Sequence, residues 1–239
     1  MPGTELLESA YVAAMRVLAA PLRGLGILGR LERAPRSSLR FWLGSQFAIH
    51  DATKLAELDM PWWTLSAITK IERWIAGRGG DVRAFEYGSG ASTVWLARRC
   101  ARVVSVEHDT GFARATSSML ARPNVRLLLI EPERDIASPS AGSGRRGYEH
   151  CDFSAYVDSI VIESDYDLVV IDGRARVACL EQARRHLKPG GLIVFDNSNR
   201  QRYRAALATV PARIERCRGL APALPYPSET ALIDFPRKA

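Results

Sequence analysis

The sequence predicts an α/β fold: a doubly wound, mostly parallel seven-stranded sheet with helices on both faces and an added N-terminal helical segment. Three observations carry that prediction. Short apolar runs alternate with helical stretches from residue 82 onward, as in a parallel sheet. The run Val82 to Tyr87 passes directly into a glycine turn, Gly88-Ser89-Gly90, and then into a helix. Polar groups fall at the ends of the predicted strands: Glu86 and Gly88, Glu107, Asp172, and the pair Asp196-Asn197. An open α/β sheet builds its site on that carboxyl edge.

Residues 4–33 read as helical, broken near Pro21 and Gly24. The stretch Tyr11 to Leu31 is apolar but carries Arg16, Arg23 and Arg30 with a proline and three glycines, so it is a poor membrane span. Two readings stay open for it. It is an amphipathic helix on a membrane surface, or it packs on the following domain or on a second copy in a homodimer. Ala34-Pro-Arg-Ser-Ser38 marks a break, and 39–58 reads as a further helical region. Met60-Pro-Trp-Trp-Thr64 opens a helix through Trp74, with Pro61 in its first turn, and Arg78-Gly-Gly80 closes it. These boundaries give a helical segment over 1–59 and an α/β domain over 60–239.

Within that domain the expected strands are 82–87, 102–107, 125–130, 166–171 and 192–195, with two more in the tail at 212–217 and 230–235. Helices are expected at 91–101, 109–121, 151–162, 174–187 and 199–208. The run 166–171 is almost continuously apolar, which suits a strand buried on both faces. Residues 131–149 form a long loop rich in Ser, Gly, Pro and charge, a candidate lid carrying Arg145, Arg146 and Tyr148 with His150 just beyond. Lys188-Pro-Gly-Gly191 reads as a turn.

The 239 residues suit one domain with an added segment. The net charge is +7 but its arginines are scattered, with no aromatic-basic stripe, so no nucleic-acid partner is expected. The four cysteines lie far apart and lack zinc spacing, which points to a reducing compartment. The acidic start (Glu5, Glu8) has no secretory pattern, so the expected location is cytoplasmic, with or without a peripheral membrane contact.

The residues Glu86-Tyr87-Gly88-Ser89-Gly90 with Ser92 and Thr93, then Glu107, Asp172 and the run Leu187 to Asn197, together resemble the class I S-adenosylmethionine-dependent methyltransferases. The resemblance covers about residues 60–238 and implies a Rossmann-like fold whose last strand is antiparallel and inserted beside the sixth. It also implies a cofactor site of Glu86, Tyr87, Gly88, Ser89, Gly90, Ser92, Thr93, Glu107, His108 and Asp172. Gly88, Ser89 and Gly90 would wrap the methionine part, and Ser92 and Thr93 would bond its carboxylate at the helix start. Glu107 would hold the ribose and His108 would lie against the adenine. Helix capping is the alternative for Ser92 and Thr93. An NAD(P)-dependent oxidoreductase is the nearest rival, but its third glycine is missing, since Thr93 stands there. A non-catalytic binding module of the same fold is the other alternative.

Within that family, Asp172, Asp196 and Asn197 are similar to the magnesium ligands of the catechol-type O-methyltransferases. That likeness implies a metal that binds the acceptor hydroxyl and lowers its pKa. Ala175 stands where those enzymes carry their lysine base, so the base is left to the metal, to Asp172, to His150 or to another group. The alternative is that Asp172 contacts cofactor while Asp196-Asn197 caps a helix. Arg174, Arg176, Arg200 and Arg202 read either as anion-binding groups or as helix-face charges, and Tyr203 as a pocket residue. Of Trp62 and Trp63, one could cover the site while both could equally pack the added helices. The expected activity is transfer of a methyl group to a hydroxyl of a small-molecule or sugar-like acceptor.

Overall fold

A computed structural model describes residues 2–36 and 38–235, without the side chains of residues 2–10 and of Arg16. Ser37 in the expected break, Arg16 and the acidic start therefore lie wholly or partly outside the described residues, as do 236–239.

Seven strands form one sheet in the order β3-β2-β1-β4-β5-β7-β6. β1 (Arg83–Tyr87), β2 (Arg102–Glu107) and β3 (Val125–Leu129) step outward to one side. The chain then returns to lay β4 (Tyr166–Ile171) against the other side of β1, followed by β5 (Leu187–Asp196), all parallel. β7 (Ser228–Asp234) is antiparallel and enters between β5 and β6 (Arg213–Gly219). The fold expected from the sequence is the fold observed. The reversal of direction leaves a crevice at the carboxyl ends of β1 and β4, where such sheets bind ligands.

Side-chain alternation splits the core into two layers. Ala84, Val103, Leu168, Val170, Leu192 and Val194 face one layer. Phe85, Tyr87, Val104, Val106, Val169, Ile171, Ile193 and Phe195 face the other. Glu86 and Ser105 occupy first-layer positions of this alternation, so both polar side chains are carried inside. In that layer Trp63 and Trp95 meet edge to face at 5.5 Å.

The N-terminal segment consists of α1 (Pro2–Gly24), α2 (Ile27–Glu32), α3 (Leu39–Ser45), a 3-10 turn (Gln46–Ala48) and α4 (Ala52–Glu57). The single helical region expected over 39–58 is thus broken. Ser38 and Asp51 each start a new helix, accepting from Phe41 N at 3.2 Å and Lys54 N at 2.8 Å. Asp59 then ties the segment to the domain. Its carboxylate accepts from Arg36 at 2.7 Å, Arg98 at 2.8 Å and Arg99 at 2.6 Å. Burial opposes ionisation there, but these guanidinium bonds win and hold the carboxyl down at about 2.

α5 (Leu65–Ala76) buries Ile68, Ile71 and Ile75, an i, i+3, i+7 stripe. It begins five residues later than the sequence suggests. Thr64 N donates to Thr230 Oγ1 at 3.1 Å and Leu65 N to Leu220 O at 2.9 Å, so the backbone through Trp63 is committed across the sheet edge. α6 (Ala91–Ala97) and α7 (Thr110–Leu120) follow the first two strands. α8 (Ser154–Asp158) is shorter than expected, held at Phe153 N by Ala141 O and continued by a 3-10 turn. α9 (Arg176–His186) and α10 (Gln201–Ala208) complete the chain's helices among the described residues. Lys188-Pro-Gly-Gly191 lies within β5 rather than in a turn. A Cβ on Gly191 would come within 2.8 Å of Asp167 O, so only glycine lets the strand continue there.

Candidate active site

β1 ends in Gly88, whose φ of 99° lies in the left-handed region open to glycine. A Cβ there would come within 2.7 Å of Gly173 Cα, in the turn after β4. A Cβ on Gly173 would collide with the hydroxyl of buried Tyr156. The two strand ends therefore close on each other through glycines, and a cavity of about 350 Å³ opens beside them. Its wall includes Gly88, Ser89, Ser92, Glu107, His108 and Asp172, six of the expected cofactor residues.

Four expected cofactor residues are not in that wall. Tyr87 is buried in the second layer and donates its hydroxyl to Val157 O at 2.7 Å. Glu86 is buried behind the turn, accepting from Thr93 Oγ1 and from Ser105 Oγ at 2.9 Å. Thr93 Oγ1 in turn accepts from Gly90 N at 2.9 Å. Thr93 thus caps the glycine turn from inside, the capping role read for it from the sequence beside that of a ligand group. Gly90 forms the backbone of the turn behind the wall. Burial pushes the Glu86 carboxyl up to about 7, against the bonds from Ser92, Thr93 and Ser105.

Glu107 ends β2 and is almost fully buried. One oxygen accepts from Ser89 N at 3.2 Å and Ser89 Oγ at 3.1 Å, the other from His108 N at 2.7 Å and Asp109 N at 2.9 Å. Burial raises its pKa, but His108 Nδ1 at 2.7 Å and the backbone donors outweigh it, leaving the carboxyl below its ordinary range. The acid is therefore anionic and fixed in place. His108 lies among Tyr148, Phe153 and Tyr156, with ring centroids 5.6, 5.8 and 6.2 Å away.

The expected metal ligands do not form an ion site, because an arginine occupies the space between them. Arg176 is buried, and its Nη2 donates to Asp172 Oδ1 at 2.8 Å and to Asp172 O. Its Nη1 donates to Asp196 O and its Nε to Gly173 O at 3.1 Å. Asp196 turns away, accepting from Thr230 Oγ1 at 2.7 Å. Burial, and next the charge of Asp172, push the Asp196 carboxyl up to about 7. Asn197 is in the left-handed region (φ 53°) and reaches Ser228 Oγ at 3.4 Å. A guanidinium spanning the ends of β4 and β5 leaves neither the vacancy nor the directed oxygens that a divalent ion needs. Among the described residues no cluster of three His, Cys, Asp or Glu is placed to hold a metal. Asp172 keeps its place in the cavity wall, whereas Asp196 and Asn197 do not reach it.

The second base candidate, His150, has an exposed side chain outside the cavity wall. Its backbone oxygen accepts from Ile136 N at 3.0 Å, which pins one end of the 131–149 loop. The other arginines separate. Arg174 lines the cavity with Arg145, while Arg202 donates to Gly144 O at 3.3 Å and Arg200 is exposed. Arg174 stands over Tyr148 at 5.2 Å, and its Nε has no hydrogen-bond partner among the described residues. Burial, then the nearby Arg145 charge, lower its pKa. Tyr203 is buried against Phe195 instead of lining a pocket. Trp63 is core, whereas Trp62 packs on that core and also lines the cavity. Asp109 and Phe112 were not anticipated in the wall. Asp109, expected within α7, is instead its cap, accepting from Phe112 N at 2.7 Å.

Residues 85–198 match a family model described as a methyltransferase domain. Among solved structures, the chain is similar to cofactor-bound Rv0187 from MTB, with 21% identity over 79% of this chain and 89% of that one and a TM-score of 0.55. It is similar to the O-methyltransferase from Bacillus cereus in complex with SAH, at 16% identity, 83% and 100% coverage and a TM-score of 0.56. A third is the O-methyltransferase TomG from Streptomyces achromogenes in complex with SAM, at 18% identity, 79% and 89% coverage and a TM-score of 0.53. Identities this low speak for the fold. No curated protein matches the sequence.

Proposed function

We propose that the chain is a class I methyltransferase that uses S-adenosylmethionine to methylate a hydroxyl of a small anionic acceptor, a reading supported by the match of residues 85–198 to a methyltransferase-domain model. The observation that supports the cofactor best is the Gly88–Glu107 arrangement: a side-chain-free turn beside a fixed carboxylate, both in one cavity wall. Glu107 would hold the ribose hydroxyls, which would take over the lone pairs now used by Ser89 Oγ. His108, Asp109 and Phe112 would flank the adenine, and Gly88 and Ser92 the methionine part. When bound, the cofactor supplies an electrophilic methyl group on a sulfonium.

The chain's own task is then to aim and deprotonate the acceptor. Asp172 is the carboxylate available for the proton, since it lines the cavity and its orientation is fixed by Arg176. Arg145 and Arg174 place positive charge in the same wall, which favours an acceptor with a carboxylate, phosphate or sulfate group. Trp62 would help to exclude water. No resident divalent ion enters this reading, because Arg176 spans the positions it would need.

Calorimetry with S-adenosylhomocysteine tests the cofactor assignment. Binding is expected for the wild type and is expected to be lost in Glu107→Ala. Binding of NAD in place of the homocysteine compound would overturn it. Labelled methyl transfer to a panel of acidic and neutral hydroxyl compounds then tests the acceptor class.

A further inference from the structure

We propose that the α1–α3 face docks on an anionic lipid surface, holding the catalytic domain at a membrane without crossing it. This inference does not depend on the reaction proposed above. Val17, Leu25 and Leu39 are 73%, 70% and 61% exposed, and Leu18, Ile27 and Leu43 are exposed as well. These six belong to eleven exposed large apolar residues among those described, yet they fall within 27 consecutive positions, so the exposure is concentrated on one segment. Between α2 and the start of α3 a groove of about 630 Å³ opens, lined by Ile27, Leu31, Pro35 and Leu39 with Arg30 and Arg40 on its rim.

Charge selects the occupant. From residue 11 to 45 the sequence has six arginines and a single acid, Glu32. Glu32 is mostly buried and lies 3.5 Å from Lys54, so it does not offset the exposed arginines. Arg36 is engaged with Asp59 and Glu72. Arg23, Arg30, Arg33 and Arg40 are exposed and pair with no carboxylate among the described residues. Among the described side chains the exposed charges of this face are all cations, so a two-fold contact with a second copy would set arginine against arginine. An anionic bilayer satisfies both components: the leucines enter the acyl boundary and the guanidinium groups meet headgroup phosphates. Among the described residues no helix is long and apolar enough to cross a membrane, so the contact is peripheral.

The test is co-sedimentation of the full chain with vesicles of phosphatidylcholine alone or mixed with phosphatidylglycerol. The chain is expected to pellet with the mixed vesicles, to remain in solution with the neutral ones, and to be released by salt. Arg30→Gln with Arg40→Gln should weaken binding roughly 25-fold, at about fivefold for each basic residue. Leu25→Gln with Leu39→Gln should abolish it. Both pairs are at the surface, and an unchanged circular-dichroism melt would confirm that they fold. Failure of the wild type to bind mixed vesicles overturns the proposal, and so does binding that neither variant pair alters. A wild-type dimer in ultracentrifugation that Leu25→Gln dissociates would assign the face to a second copy instead.

Discussion

The guanidinium of Arg176 and the carboxylate of Asp172 form a 2.8 Å ion pair across one turn, at the start of α9, with the guanidinium out of solvent and the carboxylate edge in the cavity. The same guanidinium bonds the backbone at Gly173 and Asp196, so one side chain clips two strand ends together. Replacing Arg176 by Met should cost about 3–5 kcal/mol in urea unfolding, because the partly buried Asp172 carboxylate loses its ion-pair partner and three backbone oxygens lose their donors. Arg176→Lys should recover only part of this, since an ammonium cannot span all four oxygens. Thermal melts of the wild type with and without a chelator should superimpose.

Gly88 offers a second expectation. Its positive φ and the 2.7 Å approach to Gly173 leave no room for a methyl group. Gly88→Ala should reduce S-adenosylhomocysteine affinity by roughly tenfold or more, read by calorimetry. Gly79→Ala, at another positive-φ glycine with no atom within 4 Å of its built Cβ, is the control for strain alone and should leave affinity unchanged.

The pH dependence of stability should carry the mark of Glu86 and Asp196, both pushed up to about 7. Each binds its proton more tightly when folded than when unfolded. The stability each contributes is therefore complete below about pH 4 and is lost as pH rises toward 7. Glu86→Gln should flatten its share of that slope, on the order of 3 kcal/mol between the two limits. Asp59, held at about 2, acts in the opposite sense, and its contribution disappears as pH falls from about 4 to 2. Urea midpoints across this range for wild type and Glu86→Gln provide the measurement.

Adjacent tryptophans should respond differently. Trp63→Ala removes a fully buried ring and its edge contact with Trp95, and should cost about 3–5 kcal/mol. Trp62→Ala should cost about 1 kcal/mol in stability and act chiefly on ligand affinity, as a cavity residue does. Equal losses of stability for the two would refute the division.

Much of the fold was readable from local pattern. The strands at 102–107 and 166–171 fall where their apolar runs end, because flanking turns and strand burial act on the same residues. The class I methyltransferase resemblance rests on the order and spacing of the 86–93 turn, Glu107, Asp172 and the run Leu187 to Asn197, each at or beside a strand end. What pattern missed was decided at long range. The start of α5 depends on Thr230 and Leu220, far along the chain. Thr93 reads equally as a ligand group or a cap, and the choice shows only where Glu86 and Ser105 face it from two strands. Arg176 reads as an anion-binding group or a helix-face charge, and only the meeting of β4 and β5 shows it buried between two acids. Arg145 entered the cavity wall through the fold of a loop that has no periodicity to read.

α6 has its two ends in different parts of the molecule. Ser92, in its first turn, belongs to the wall beside Glu107, while Arg98 and Arg99, just past its last, grip Asp59. Seven residues of helix make a strut about 10 Å long. The N-terminal helical segment and the cavity wall are thus fastened to opposite ends of one short beam, which fixes the distance between them.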